Sequence, residues 1–312
     1  MFRADTDTLV RLLPFPELIK ALAAAFVAGA NVPLRHSHII ESGTDTGTSL
    51  LMPAWDAEGY YGVKIVNIFP GNRAKGLPGL HSTYTLFDAR TGAPLALLDG
   101  DVITSRRTAA AAALGASYLA RPDATRLVVV GAGRVGGLVG PAMAAVRELD
   151  DIAVWDIDPD ASQRCAQRWR ESGLPARAVE QLEPAVREAD IVSCATLASQ
   201  PIIKPEWLAA GSHLDLIGSF TPAMAEAEPA CFAQADVWVD TEEALMKSGD
   251  LLNAIAAGRW RADALIGNLT QLCRGQIKGR SNDQQRTIFK AVGTALEDLG
   301  AAKLAYLGLK NA

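Results

Sequence analysis

The first third of the chain alternates between apolar and polar positions in short runs. A helix is predicted over Pro16–Val27, and the runs that follow it are bounded by glycine, proline, asparagine and aspartate residues typical of turns. The predicted strands read HSHIIES, TSLLMPAW, YGVKIVNIF, LHSTYTLFDARTG and PLALLDGDVIT. Because each follows the last after a short connection, we predict an antiparallel or mixed sheet, with a hairpin turn at Asp88–Gly92.

From Thr104 onward the pattern changes to helices that alternate with strands. The alanine-rich stretch Ser105–Arg121 has high helix propensity and leads into the β-branched run RLVVV. Further predicted strands read IAVWDID, IVSCAT, SHLDLIGS and ADVWVDT, and the helices between them read PDASQRCAQRWRES and VEQLEPAVREAD. This alternation predicts a parallel, doubly wound sheet. Residues 282–309 predict an amphipathic helix or helix pair.

These patterns predict an α/β protein with two domains. Residues 1–118 are expected to form an α+β domain, and residues 119–293 a doubly wound domain. The C-terminal segment, residues 294–312, is expected to return to the first domain. A chain of 312 residues is long enough for two domains of ordinary size.

Composition and charge exclude several classes of protein. The chain is 49% hydrophobic and 21% charged with a net charge of −5, so it lacks the basic surface that attracts nucleic acid or an anionic membrane. No apolar run reaches the ~20 residues of a membrane span, and the charged N-terminus lacks the apolar core of a signal peptide. The cysteines form no CxxC pair, as expected of reduced thiols. We therefore expect a cytoplasmic protein with no nucleic-acid or membrane partner.

A glycine-rich turn gives the clearest chemical signal. A GxGxxG motif directly follows the predicted strand Leu127–Val130 and opens a helix, which is the context that dinucleotide binding requires. The first glycine permits the tight turn, the second lets the backbone approach a pyrophosphate, and the third allows close packing of helix and strand. We predict a Rossmann-type NAD(P)-binding domain whose cofactor-binding turn is formed by Gly131, Gly133, Arg134, Val135 and Gly136.

An acidic residue after the next strand indicates which dinucleotide is bound. Asp156 in AVWDID lies about 20 residues beyond the motif, where a carboxylate accepts hydrogen bonds from the adenosine ribose and repels a 2′-phosphate. Asp158 is the alternative for this role. The pattern favours NAD(H) over NADP(H), although a phosphate contact from Arg134 would make this preference partial.

Cations in the first domain indicate the class of substrate. Arg35, Lys64 and the pair Arg106/Arg107 lie in apolar or turn contexts, and such groups bind carboxylates by charge-assisted hydrogen bonds. Lys64 is either a strand residue that reaches water or a ligand, and Arg35 is either a surface residue or a ligand. One of the paired arginines is expected to be solvated at the start of a helix. The histidines show no metal-ligand spacing, so no metal is predicted.

Several stretches occur in an order that is typical of a known family. They read PLRHS, GVKIVNIFPGNRAKGLPG, LFDARTGAPLALLDG, SRRTAA, VVVGAGRVGG and FKAVGTALED. On these motifs the chain resembles the ornithine cyclodeaminase/mu-crystallin family over nearly its full length. The resemblance implies a homodimer whose contact lies in the N-terminal substrate-binding and dimerisation domain, with NAD(P)H bound to the Rossmann domain.

The resemblance also implies roles for individual residues. Arg35 and Lys64 match the ligands of the substrate carboxylate, and Lys64 is the expected catalytic residue. Arg107, followed by Thr108, matches the arginine between substrate and cofactor. The other matches are Asp156 at the ribose, Thr196 at the cofactor, and Ala291 and Val292 beside the nicotinamide, with Val292 also at the substrate.

One departure from the family pattern concerns the reaction. True ornithine cyclodeaminases carry a loop with a sequence similar to GGDCPGK. The corresponding stretch of this chain reads IGSFTPAMAE, with Phe220 at the position of that aspartate and Met224 at the position of that lysine. Without that carboxylate, deaminating cyclisation loses its acid/base group. The loop is similar to that of imine-reducing members, which implies NAD(P)H-dependent reduction of a cyclic imino acid: Δ1-pyrroline-2-carboxylate to L-proline, and also Δ1-piperideine-2-carboxylate to L-pipecolate.

Other activities within the family remain open at this stage. One alternative is an NAD-dependent, alanine-type amino-acid dehydrogenase or N-alkylating reductase, which would use the same cations on an open-chain substrate. Another is a non-catalytic ligand-binding protein similar to mu-crystallin. Ornithine cyclodeaminase is the third alternative.

Overall fold

The computed structural model describes residues 1–311, apart from the side chain of Arg73. Contacts along the chain form two compact units, one of Met1–Arg107 with the C-terminal segment from Thr294, and one of Thr108–Gly293. The boundary between them falls between Arg107 and Thr108, in the middle of the helix Gly100–Leu119, whereas the sequence pattern placed it after residue 118, near the end of that helix. An uninterrupted helix gives no compositional sign of where one unit ends.

The strands and helices are numbered in chain order. The strands are β1 (Phe2–Ala4), β2 (His36–Ser42), β3 (Asp45–Trp55), β4 (Tyr60–Ile68), β5 (Leu80–Asp88), β6 (Pro94–Asp99), β7 (Arg126–Val130), β8 (Asp151–Trp155), β9 (Ala176–Ala178), β10 (Ile191–Cys194), β11 (His213–Leu216), β12 (Asp236–Val239), β13 (Leu265–Asn268) and β14 (Thr287–Lys290). The α-helices are α1 (Thr6–Leu12), α2 (Phe15–Ala28), α3 (Gly100–Leu119), α4 (Gly136–Ala144), α5 (Pro159–Glu171), α6 (Leu182–Glu188), α7 (Ala244–Lys247), α8 (Gly249–Ala256), α9 (Leu269–Cys273) and α10 (Ala295–Asn311). Short 3-10 helices cover Pro70–Lys75, Pro205–Trp207, Pro229–Gln234 and Ala262–Ala264.

The sheet of the first unit has the order β1-β6-β5-β4-β3-β2. Its neighbours are antiparallel except for β1, which runs parallel to β6, so the predicted mixed sheet is confirmed. On β4 the buried positions alternate, and Gly62, Lys64 and Val66 point to one face. Helix α10 packs on β3, β4 and β5 and also against α2. The C-terminal helix therefore covers the face to which Lys64 points.

One predicted strand of the first unit is too long. The run PLALLDGDVIT ends as a strand at Asp99, and α3 begins at Gly100 rather than at Ser105. The Asp99 carboxylate accepts hydrogen bonds from the backbone N–H groups of Asp101 and Val102, at 2.9 and 3.2 Å. This is the arrangement of a helix N-cap, and it explains why the helix starts earlier than propensity alone indicates.

The sheet of the second unit has the order β13-β12-β14-β11-β10-β7-β8-β9, and every pairing is parallel. The predicted doubly wound sheet is therefore confirmed. Residues 127–130 of β7 are all buried, as expected of a central parallel strand covered on both faces. The strand order reverses direction along the chain between β7 and β10, which is where doubly wound folds bind ligands.

The last part of the chain differs from the prediction. Residues 282–309 do not form only helices, because Thr287–Lys290 is the strand β14 between β12 and β11. All four residues are buried, so the strand shows no alternation of buried and exposed positions. Its two end residues, Thr287 and Lys290, are polar, so the sequence shows no apolar run that would indicate a buried strand. The Lys290 ammonium donates to the carbonyl of Leu216 at 2.9 Å, which satisfies one donor of this buried cation.

Candidate active site

Two buried cations and two buried carboxylates form a cluster in the first unit. The Lys64 Nζ lies 2.7 Å from an Asp298 carboxylate oxygen, and the Arg107 Nε donates to the other oxygen at 2.9 Å. The Arg107 guanidinium also pairs with Glu297 at 2.5 Å. Strand β4 supplies the lysine, α3 the arginine and α10 both acids. We refer to Lys64, Arg107, Glu297 and Asp298 as the ion cluster.

Burial distinguishes between the two interpretations of Lys64. Its side chain is 2% exposed and lies on β4, with β3 and β5 on either side, so it is not an edge residue that reaches water. A buried ammonium costs several kcal/mol unless it is paired, and Asp298 is its partner. Because an ammonium has three donor hydrogens and this ion pair uses one, Lys64 retains capacity to bind a second anion.

The ion cluster shifts the pKa values of its members. Burial lowers the pKa of Lys64; Asp298 opposes this shift, Arg107 adds to it, and the resulting pKa is about 8. Burial would raise the pKa of Asp298, but Lys64 and Arg107 outweigh it and hold that pKa below its usual range. At neutral pH the lysine is therefore a cation, and its pKa lies close enough to neutral pH for the proton to be released readily.

The prediction that one of Arg106 and Arg107 is solvated is wrong. Arg106 is 9% exposed, donates to the carbonyl of Leu13 at 2.8 Å, and lies 4.4 Å from the centre of the Phe15 ring. Since α3 begins at Gly100, both arginines lie beyond its first turn and not at its start. Arg106 fixes the start of α2 to α3, and Arg107 belongs to the ion cluster.

Arg35 lies directly before β2 and is partly buried. His36 pairs with Leu51, and Met52 pairs with Lys64 across β3 and β4. Arg35 itself lies outside the paired residues of this sheet, so its role as a carboxylate ligand stays a prediction.

Sequence reasoning missed the two acids of the ion cluster. Glu297 and Asp298 lie in the first turn of α10, where acids commonly offset the helix dipole, so their presence drew no attention. A usable signal existed, because an adjacent acidic pair interrupts an otherwise apolar helix that must pack on a sheet. Both side chains are fully buried.

The second unit contains the glycine-rich turn between β7 and α4. Gly131 has φ +101°, which favours glycine, and a Cβ at Gly136 would lie 1.9 Å from the Gly131 carbonyl oxygen. A Cβ at Gly133 would meet nothing within 4 Å, so this glycine leaves open space above the turn. The arrangement fits a pyrophosphate at the N-terminus of α4, beside the exposed Arg134 and the N-cap residue Val135.

The contacts of Asp156 and Asp158 indicate which of the two carboxylates is placed to bind the ribose. One oxygen of Asp156 accepts from the backbone N–H of Ala132 at 2.6 Å, and the other accepts from the N–H of Asp158 at 2.9 Å. The carboxylate therefore faces the glycine-rich turn. Asp158 instead caps α5 by accepting from the N–H of Asp160 and pairs with Arg164. Of the two, Asp156 has the geometry expected of the ribose ligand.

The other predicted cofactor residues lie at the carboxyl ends of parallel strands. Thr196 follows β10, and its N–H and hydroxyl both donate to Glu226. Ala291 and Val292 follow β14, where Asp240 accepts from the Val292 N–H at 2.8 Å. Thr108, on α3, is partly buried. Apart from Thr108, these residues share the sheet edge at which the glycine-rich turn lies.

The remaining candidates do not form a site of their own. Phe220, which replaces the family aspartate, is 41% exposed in the loop after β11. His36, His38 and His81 are exposed, whereas His213 is buried and its pKa is lowered to about 3, chiefly by that burial. Within residues 1–311, no group of histidine, cysteine and acidic side chains is arranged to hold a metal ion. The same residues contain no helix of the length and apolarity that a membrane crossing needs.

Comparison with known proteins gives consistent matches over the whole chain. The family model for the ornithine cyclodeaminase/mu-crystallin family matches residues 2–311. The Δ1-pyrroline-2-carboxylate reductase of Paracoccus denitrificans is 37% identical over 273 residues, which cover 87% of this chain and 86% of that protein.

Solved structures show the same likeness in three dimensions. The Δ1-pyrroline-2-carboxylate reductase of Thermococcus litoralis, in complex with NADH and L-proline, matches with a TM-score of 0.92 and 33% identity, covering 100% of this chain and 98% of that one. An archaeal alanine dehydrogenase dimer with bound NAD matches with a TM-score of 0.90 and 28% identity, covering 100% of this chain and 97% of that one.

Proposed function

Since the chain belongs to the ornithine cyclodeaminase/mu-crystallin family, we propose that it is an NAD(H)-dependent reductase of cyclic ketimines. Its reaction would convert Δ1-pyrroline-2-carboxylate, NADH and a proton into L-proline and NAD⁺. The six-membered Δ1-piperideine-2-carboxylate would give L-pipecolate in the same way. The observation that carries the proposal is the ion cluster, in which a buried lysine and arginine are held for an anionic substrate.

The cations of the first unit would bind the substrate carboxylate. The Lys64 ammonium has three donor hydrogens, of which its ion pair with Asp298 uses one, and Asp298 also holds Arg107 in place. Arg35, directly before β2, would supply a second guanidinium. A carboxylate held by several rigid cations fixes the orientation of a small ring, which is what a directed transfer to its C=N carbon requires.

A bound nicotinamide supplies the hydride that reduces the C=N bond. The ring nitrogen must also be protonated, because an iminium accepts a hydride far more readily than a neutral imine. Lys64 is the proposed carboxylate ligand and proton donor, since a pKa of about 8 leaves it charged at neutral pH while keeping proton release accessible.

The second unit would hold the dinucleotide through the residues predicted from the motif. The turn Gly131–Gly136 would bind the pyrophosphate, and Asp156 the adenosine ribose, while Thr196, Ala291 and Val292 would line the nicotinamide end. The Asp156 carboxylate is fixed by two backbone N–H groups, so it would repel a 2′-phosphate and could not rotate away from it. We therefore propose NADH as the preferred cofactor and NADPH as a weaker one.

A second candidate function is an NAD-dependent amino-acid dehydrogenase of the alanine type. The likeness to the archaeal alanine dehydrogenase favours it, and the same cations would bind the carboxylate of pyruvate. Ornithine cyclodeaminase is less well supported, because Phe220 stands where that activity has an acid.

We also propose a homodimer and a cytoplasmic location. The first unit exposes Ile39 and Ile40 on the edge strand β2 and Trp55 at the end of β3, where the Tyr61 ring contacts the rings of Trp55 and Phe87. Exposed apolar side chains that lie close together mark surfaces where proteins associate. The cysteines Cys165, Cys194, Cys231 and Cys273 are all free thiols, which fits a reducing compartment.

A steady-state panel of substrates tests the proposed reaction. NADH oxidation is measured with each cyclic imine and with pyruvate and ammonia. A separate assay measures ammonia release from ornithine. We expect the imines to react with kcat/KM at least a hundredfold above that for pyruvate and ammonia. Turnover of pyruvate and ammonia without turnover of either imine would establish the dehydrogenase instead.

A further inference from the structure

A buried carboxylate in the second unit has no part in the proposed reaction, yet it joins two loops. One oxygen of Glu226 accepts from the N–H of Thr196 at 2.7 Å and from its hydroxyl at 2.9 Å. The other oxygen accepts from the N–H of Gly218 at 2.7 Å. Thr196 follows β10 and Gly218 follows the neighbouring β11, so this one side chain connects the ends of two adjacent parallel strands.

The joined loops lie against the glycine-rich turn. A Cβ at Gly131 would come within 2.7 Å of the Ala195 carbonyl oxygen and 3.1 Å of the Thr196 methyl group. A Cβ at Gly218 would lie 2.2 Å from the Thr196 carbonyl oxygen and 2.3 Å from a Glu226 oxygen. No side chain fits at either glycine without displacing these groups. A shift of Thr196 would therefore displace Gly131, the first glycine of the motif, because the two are in close contact.

We propose that Glu226 is a positioning residue for the dinucleotide: as a carboxylate, it ties the loop after β10 to the loop after β11 and so holds Thr196 and the glycine-rich turn in the shape that binds the cofactor. This inference rests on the proposed function only for the identity of the cofactor. It requires no imine substrate.

Charged groups from four elements surround Glu226. Lys290 on β14 favours its ionised form, whereas Asp250 on α8 disfavours it and also accepts from the Glu226 N–H at 2.8 Å. Cys194 on β10 interacts electrostatically with Glu226 and also with Asp215 on β11, and burial raises the pKa of both Cys194 and Asp215. Burial likewise raises the pKa of Glu226 to about 7, against the opposing effects of Lys290 and the backbone N–H groups.

Protonation would weaken the connection between the loops. The carboxylate accepts three hydrogen bonds, two from Thr196 and one from Gly218. Hydrogen bonds to an ionised acceptor are about twice as strong as those to a neutral one, so protonation of Glu226 would weaken all three. Because this occurs as the pH falls through about 7, the affinity for NADH is expected to fall with it.

The test measures the dissociation constant of NADH by fluorescence between pH 6 and 8.5, without substrate. Three proteins are compared: the natural chain, Glu226→Gln, and Glu228→Gln as a matched control. Glu228 undergoes the same chemical change two residues away, and the hydrogen bonds known for it are made by its backbone N–H and carbonyl, which the substitution leaves in place. Glutamine at position 226 keeps one accepting oxygen but turns an N–H₂ group toward a donor. Melting temperatures of the cofactor-free proteins are recorded alongside.

We expect the natural chain to bind NADH about tenfold more weakly at pH 6 than at pH 8. Glu226→Gln should bind at pH 8 as weakly as the natural chain does at pH 6, with no further dependence on pH. Glu228→Gln should follow the natural chain throughout. A lowered melting temperature with unchanged NADH affinity would overturn the inference, because the role of Glu226 would then be structural only.

The natural chain alone also decides the question if Glu226→Gln does not fold. An NADH affinity that stays constant between pH 6 and 8 would overturn the inference. Failure to bind NADH at any pH would overturn it together with the cofactor proposal. NADH binding with the expected pH dependence, but without turnover of any imine, would contradict only the proposed reaction.

Discussion

At the scale of single residues, Lys64 is the most informative position in the chain. It is a fully buried cation on a central strand, and both neighbouring charges of opposite sign come from α10. A paired buried lysine of this kind contributes little net stability, because the cost of removing it from water offsets the attraction. We therefore attribute its role to binding and not to folding.

Replacing Lys64 by methionine tests that explanation. Methionine keeps the length and apolar stem but removes the charge, so we expect kcat/KM for the cyclic imine to fall at least a hundredfold. The affinity for NADH should not change. The matched control is Lys75→Met, because Lys75 is 49% exposed and pairs at the surface with Asp45. Turnover by Lys64→Met at the natural rate would show that the ion cluster is not the substrate site.

The pH dependence of the reaction follows from the same cluster. The protonated fraction of Lys64 falls as the pH rises through about 8, so kcat/KM should decline by up to about tenfold per pH unit above that value. Asp298 raises the pKa of Lys64, and Asp298→Asn should therefore move this decline to lower pH. Asp56→Asn, which removes one of the two ion pairs of Lys303 on the same helix, should leave the decline in place. Identical pH profiles for both variants would contradict the coupling.

The cations could be predicted from sequence, but their partners could not. Lys64 interrupts an apolar strand, and a charge in such a run draws attention at once. Glu297 and Asp298 stand at a helix start, where acids are ordinary, and only tertiary packing shows that they are buried. The burial of Arg106 could not be predicted either, because its partners Leu13 and Phe15 are remote in sequence.

At the scale of elements, the end of β8 determines the choice of cofactor. Asp156→Ser would remove the charge that a 2′-phosphate meets, and we expect the ratio of kcat/KM for NADPH to that for NADH to rise at least tenfold. Asp158→Ser is the control, since serine can still cap α5 and the ribose ligand is untouched. A larger change of the ratio in Asp158→Ser than in Asp156→Ser would reverse the assignment.

Strand β11 carries a buried acid whose ionisation should be visible in stability. Burial raises the pKa of Asp215 to about 7, so the folded state binds more protons than the unfolded state between about pH 4 and 7. The contribution of this group to stability is full at low pH and is lost as the pH rises through about 7. Relative to the natural chain, Asp215→Asn should gain roughly 1.4 kcal/mol per pH unit between pH 5 and 7 in urea unfolding. Parallel stability curves would contradict the shifted pKa.

Most strands were predicted from the sequence, including the short buried strands β7, β8, β10, β11 and β12, but β14 was not. Strand β2 was predicted at its observed bounds, and the glycine-rich turn was found with its strand and helix. Strand β14 was missed, because four buried residues ending in lysine carry no alternation and lie in a stretch that favours helix. The start of α3 depended on the Asp99 cap, which a strand pattern conceals.

At the scale of the whole molecule, each compact unit contributes one half of the proposed chemistry. The first holds the ion cluster, and its last helix comes from the far end of the chain. The second holds the glycine-rich turn, Asp156 and the connection made by Glu226. The family and the two-part pattern were evident from sequence motifs. The C-terminal contribution to the cluster required the fold, because α10 and β4 are separated by most of the chain.

The identity and stoichiometry of the product test the central claim most directly. The natural chain is incubated with Δ1-pyrroline-2-carboxylate and NADH, the loss of NADH is followed by absorbance, and proline is resolved by chiral chromatography. We predict one L-proline for each NADH oxidised, with no D-proline. NADH that stays unoxidised with this imine and with Δ1-piperideine-2-carboxylate, while pyruvate and ammonia are converted to alanine, would contradict the account.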